Sequence, residues 1–147
     1  MMSQVVKLQG IYRPVYKVAH LVLQSNSRYH YNKYIQTNLS LMRLIEQQMN
    51  NAIRCNQNFQ KDNTAVINIG TKSFVYLHGN HIATVGTDFL QVFDGGWQSN
   101  TTKSRLNALI NEFADAYNDG VFQQNFCWFI NTAAGVRDFV NGYEFAL

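Results

Sequence analysis

Charge is scarce in this chain, and what there is lies unevenly. Only 14% of the 147 residues are charged, against about a quarter in an ordinary soluble domain. Neutral amides fill the gap, with 17 Asn and 12 Gln; they keep a surface wet without fixing its charge, and suit either a binding surface or an AT-rich genome. Acids are nearly missing from the first part. Residues 1–61 hold eight cations and one anion, Glu46, a net +7, whereas residues 62–147 hold four cations and eight anions, a net −4. Two readings stay open: an anionic partner for the first part, or attraction between the two parts within the fold or across a dimer.

Other absences exclude whole classes. Two cysteines, Cys55 and Cys127, cannot build a disulfide scaffold, and their spacing is not that of a metal site. No signal-peptide pattern follows Met1, so a reducing, cytoplasmic compartment is expected. Cys127, inside Phe126-Cys127-Trp128-Phe129, reads as a small buried apolar residue. Long apolar runs are missing too. The longest, Val18 to Leu23, is interrupted by His20 and falls far short of the ~18 residues a membrane span needs, so no membrane partner is expected. The chain has no nucleophile elbow, Walker loop or metalloprotease helix, and Asp88, Asp94, Glu112 and Asp115 do not cluster; the expectation is a protein that is not an enzyme. His78 and His81 flank a turn, but a zinc site needs three or four ligands. Neither metal nor cofactor is expected.

What remains is one domain's worth of chain, large enough to bury its own core. The one proline, Pro14, fits the first turn of a helix, although the β-branched run after it suits a strand almost as well. Asn38 to Cys55 reads as a helix, capped by Thr37 or Asn38, with an apolar face of Leu41, Leu44, Ile45, Met49, Ala52 and Ile53. The polar stretch 56–63 reads as a linker, which divides the chain into a basic, partly helical segment (1–61) and a second part (62–147).

In that second part the period changes. Thr64–Ile69, Ser73–His78, His81–Val85 and Asp88–Phe93 are short β-type runs punctuated by Gly70, Gly79-Asn80, Gly86 and Gly95-Gly96. They predict a four-stranded antiparallel meander with a tight, Gly-first turn at Gly79-Asn80. Thr101 or Thr102 then caps a helix from Lys103 to about Tyr117, with a stripe of Leu106, Leu109, Ile110, Phe113 and Tyr117. Two further strand-like runs, Val121–Gln124 and Phe126–Ile130, and a turn at Asn141-Gly142 follow. The fold class is therefore α+β, an N-terminal basic helical segment followed by an antiparallel meander with one packed helix. Trp97 is expected to cover one edge of the sheet.

The run Tyr76-Leu77-His78-Gly79-Asn80-His81-Ile82-Ala83, then Gly96-Trp97, Thr101-Thr102-Lys103-Ser104-Arg105-Leu106-Asn107-Ala108, Val121-Phe122-Gln123, Phe126 and Trp128-Phe129 resembles a family of small bacteriophage proteins over roughly residues 64–145. The resemblance implies a phage origin and a host-cell cytoplasmic location, and names no reaction. By association it implies an accessory protein that engages a host or defence component, in the manner of anti-CRISPR or anti-restriction inhibitors. A nucleic-acid-binding protein acting through residues 1–61 is the alternative.

Two surfaces qualify as binding sites. Arg13, Lys17, Arg28, Lys33 and Arg43 interleave with Tyr29, Tyr31 and Tyr34, a pattern that suits stacking on bases with pairing to phosphates or anchoring a protein interface. Thr101, Thr102, Lys103, Ser104 and Arg105 stand where a helix N-terminus would receive an anion; the alternative there is a helix cap with solvated basic neighbours. The partner is a host or defence protein complex or a nucleic acid, and a homodimer is compatible with the charge split.

Overall fold

The computed structural model describes residues 42–147. In chain order the elements are α1 (Leu44–Arg54), β1 (Phe59–Lys61), β2 (Thr64–Ile69), β3 (Lys72–Leu77), β4 (Asn80–Val85), β5 (Phe89–Val92), α2 (Asn100–Phe113), β6 (Gly120–Gln124), β7 (Cys127–Thr132), β8 (Gly135–Asp138) and β9 (Tyr143–Ala146). They form an α+β fold with two antiparallel sheets, one ordered β1-β2-β3-β4-β5-β9 and the other β6-β7-β8. The expected meander is present as β2 to β5. It is flanked by β1, drawn from the stretch that reads as a linker, and by the C-terminal β9, which pairs with β5.

Alternation decides which face of the large sheet is buried. Val66, Val75, Leu77, Val85, Leu90, Val92 and Phe145 point inward to one core, shared with Met49, Ala52 and Ile53 of α1. Leu106, Leu109, Ile110 and Phe113 of α2 are fully buried in it, as their helical spacing predicts. Val121, Trp128 and Ile130 carry the same core under the small sheet. Residues 44–61 are thus built into the same core as residues 62–147. Leu44, expected on the apolar face of α1, is exposed, while Glu46 and Asn50, expected off that face, are buried. The reversal has a polar cause: Asn50 Nδ2 donates to the Ala108 carbonyl at 3.2 Å, and Glu46 has an internal counterion.

Several boundaries differ from expectation. Leu77 pairs with Asn80, so the tight turn is His78-Gly79. Both residues have positive φ, 51° and 79°; this is the I′ pattern, whose twist matches the flanking strands, and His is among the side chains that tolerate it. Helix α2 begins at Asn100 and is capped by Ser99, whose Oγ accepts from the Thr102 N–H at 3.0 Å. It ends at Phe113. Tyr117 lies beyond it, exposed rather than on the stripe, and the chain is turned instead by Asp115, whose carboxylate accepts from the Tyr117 N–H and the Asn118 side chain. Trp97 is 76% exposed and covers no sheet edge. Cys127 is exposed as well, because Trp128 and Ile130 take the inward positions of β7.

Candidate interaction surface

The second turn of α2 faces an internal anion. Glu46, on the first turn of α1, presents Oε1 to Arg105 Nη1 at 2.7 Å and to Ser104 Oγ at 2.6 Å. Its Oε2 accepts from the Arg43 N–H at 3.1 Å. Arg105 Nε also donates to Thr64 Oγ1 at 3.1 Å, and Nη2 to Asn63 Oδ1 at 3.4 Å. Glu46 and Arg105 are each 3% exposed. One guanidinium, a planar fork of donors, therefore ties α1, α2 and the β1–β2 turn together. Thr102 is buried and its hydroxyl donates to the Trp97 carbonyl at 3.2 Å. Lys103 reaches Gln123 Oε1 at 3.3 Å on the surface. Of the proposed anion set, Thr102 and Arg105 are interior and Ser104 serves Glu46, while Thr101 and Lys103 are partly exposed.

The basic, Tyr-rich set is not brought together here: Arg13, Lys17, Arg28, Tyr29, Tyr31, Lys33 and Tyr34 lie outside the described residues. Arg43 is described; it is the exposed N-cap residue of α1.

A different surface emerges at the small sheet. Residues 120–136 contain no Asp, Glu, Lys or Arg, and within them Gln123–Cys127 and the β7–β8 turn are exposed; β8 ends on two exposed charges, Arg137 and Asp138, with Asp138 opposite Phe129. Register places Phe122 opposite Phe129; the rings stack at 5.5 Å on the face opposite Trp128 and Ile130. Gln124 pairs with Cys127 at the end of that face. The two-residue loop between them, Asn125-Phe126, holds Phe126 94% exposed. The far edge of β6 is closed by Asn107 of α2, whose side-chain amide accepts from the Val121 N–H and donates to its carbonyl, both at 2.8 Å. That double bond imitates a neighbouring strand and anchors the hairpin to the helix. Sequence reading missed this surface because a Phe-rich run reads as core; the signal available was the Gln-Gln-Asn that breaks it.

On the outer face of the large sheet, His81 stands among Phe74, Tyr76 and Phe93, with ring centroids 4.7–6.0 Å away, and its Nε2 is 2.9 Å from Thr84 Oγ1. Burial lowers its pKa from the ordinary histidine value. His78 is in the turn, so the two histidines do not converge. Near them an open groove of about 410 Å³ is lined by Gln60, Asp62, Ala65, Ile67, Tyr76 and His78 among others. At the other end of the core Arg54 of α1 pairs with Glu112 of α2; burial raises the Glu112 pKa and Arg54 opposes the rise. Among the described residues no group of three or more His, Cys, Asp or Glu could hold a metal ion, and no helix is long and apolar enough to cross a membrane.

The profile of the Kyanoviridae Gp96 protein family matches residues 42–146. That is most of the chain and nearly all of the fold described above, so the chain belongs to this phage protein family. No curated protein and no solved structure matches it.

Proposed function

We propose that this member of the Kyanoviridae Gp96 family is a non-enzymatic phage accessory protein that binds a host or defence protein complex, as an anti-CRISPR-like or anti-restriction inhibitor would. The observation that supports the reading is the uncharged tip of the β6–β7 hairpin, with Phe126 standing in solvent. A few well-placed side chains carry most of the binding energy of a protein contact. Phage origin, carried by the family, supports the class of partner.

A second reading has its own support. Residues 1–41 contain five cations and no acid, a composition suited to phosphate contact. Affinity purification of the tagged full chain from host cells, with and without nuclease and across a salt series, tests both. A protein inhibitor retains one host complex after nuclease and at high salt. Recovery of nucleic acid alone, falling steeply as salt rises, would overturn the first reading in favour of the second.

A further inference from the structure

We infer that the β6–β7 hairpin is a recognition finger whose tip, Phe126, inserts into an uncharged apolar pocket of a partner protein. The inference rests on the protein-binding reading above and names the contact.

The backbone supplies the first argument. Gln124 pairs with Cys127, so Asn125-Phe126 is a two-residue hairpin loop, and φ is +50° at Asn125 and +63° at Phe126. Both positive values define the I′ loop, whose preferred sequence is Asn-Gly because the second residue needs the left-handed region. Asn125 fits. At the second position a bulky side chain is a true outlier, and backbone strain of this kind concentrates at binding sites. Local stability favours glycine here; the chain holds phenylalanine instead.

Exposure supplies the second argument. At 94% exposed, the ring is not held in the strained conformation by packing against the described residues. The hairpin under it is anchored: Phe122 and Phe129 stack behind the tip, and Asn107 bonds β6 to α2. A fixed stem carrying one projecting ring is preorganised for insertion, which limits the entropy lost on binding.

Charge identifies the occupant. Gln123, Gln124 and Asn125 flank the ring, and residues 120–136 carry no charged side chain; the charges that border the hairpin, Lys103 Nζ at 3.3 Å from Gln123 Oε1 and Asp138 opposite Phe129, lie back along its stem. A phosphate backbone would find no counter-charge on this tip. A convex, neutral, aromatic tip edged by amides complements a concave apolar pocket edged by uncharged hydrogen-bonding groups, which is a protein surface.

The test uses the full chain and opposes two readouts. Phe126→Gly is expected to raise the chemical denaturation midpoint, since it restores Asn-Gly. The same substitution is expected to lower, by roughly 30-fold or more, retention of the host protein that the unaltered chain keeps from nuclease-treated host lysate at about 0.5 M salt, where phosphate contacts are screened. Phe126→Tyr and Trp97→Ala are expected to keep that protein. A lower midpoint for Phe126→Gly would overturn the strain argument. Undiminished retention would overturn the finger while leaving the proposed function intact; no nuclease-resistant protein retained by the unaltered chain would overturn both. A labelled oligo(dT) strand and sedimentation of the protein alone complete the set. Loss of strand binding in Phe126→Gly, or dissolution of a dimer by it, would overturn the protein pocket in favour of base stacking or a second copy.

Discussion

Removing Arg105 should be the most damaging single change in the described fold. The side chain is 3% exposed, donates to Glu46, Thr64 and Asn63, and joins elements about 40 to 60 residues apart in sequence. In Arg105→Ala, Glu46 keeps its bonds from Ser104 Oγ and the Arg43 N–H but loses its counterion while buried. Breaking a buried ion pair from one side costs about 3–5 kcal/mol, because the stranded charge is neither solvated nor paired. Loss of the packed aliphatic stem adds to this. Domains of this size are stable by only about 5–15 kcal/mol, so the substitution removes a large share of the total. Arg105→Lys should fall between, since one ammonium cannot reproduce a planar fork reaching three acceptors.

The decisive comparison is with paired removal. Replacing Glu46 and Arg105 together by apolar residues of similar size, Glu46→Leu with Arg105→Met, should be close to neutral, because the desolvation of both charges disappears with their attraction. Urea denaturation of the unaltered chain, Glu46→Leu, Arg105→Met and the double replacement, read as a double-mutant cycle, with Arg105→Ala beside them, measures this. A loss below about 1 kcal/mol for Arg105→Ala, or paired removal as harmful as the single change, would refute the claim that the pair is a buried, mutually dependent unit.

Three further outcomes are expected. Leu106→Ala should cost about 2–5 kcal/mol as a core truncation, because Leu106 is fully buried against the meander; an unchanged denaturation midpoint would show that face to be exposed. His81 resists protonation in the folded state because it is buried among rings, so the unfolded chain takes the proton more readily and stability should fall as pH drops through the ordinary histidine value near 6.5; in His81→Phe a stability–pH series should lose that slope. Burial, with Asp115 nearby in the case of Asp119, raises the pKa of Glu112 and Asp119, so their contribution is fully present below the ordinary carboxylate range and is lost as pH rises through their folded values. Asp119→Asn should flatten that part of the curve.

The meander and the packed helix were legible because their signals are periodic and local. Alternation over Thr64–Val92 and the 3.6 spacing of Leu106, Ile110 and Phe113 need no knowledge of neighbours. Ends were less legible. Thr101 and Thr102 are good capping residues by type, but Ser99 takes the cap because Thr102 is turned inward to the Trp97 carbonyl. The site was the least legible part. Glu46 reads as a solvated charge off the apolar face of α1; its burial depends on Arg105, 59 positions away, and no local pattern encodes that pairing. Phe126 fails in the opposite sense, as an aromatic in an apolar run that register places at a hairpin tip.

Charge reads differently once the interior is known. Among residues 42–147, Arg105 is buried on Glu46 and Arg54 pairs with Glu112, Lys72 stands over the Phe89 ring and Arg137 over Tyr143, and Lys61 and Lys103 reach the side-chain carbonyls of Gln48 and Gln123. These cations contribute to the fold or lie over its own surface. The chain's excess of positive charge therefore belongs to residues 1–41, with five cations and no acid, whereas residues 42–147 hold seven cations and nine acids. The family match begins at Met42, beyond the last of those five cations, Lys33. Contacts made through residues 1–41 should weaken as salt screens them; contacts made through the neutral finger should not. Binding measured across a salt series therefore assigns the contact to one part of the chain or the other by its slope, before any residue is changed.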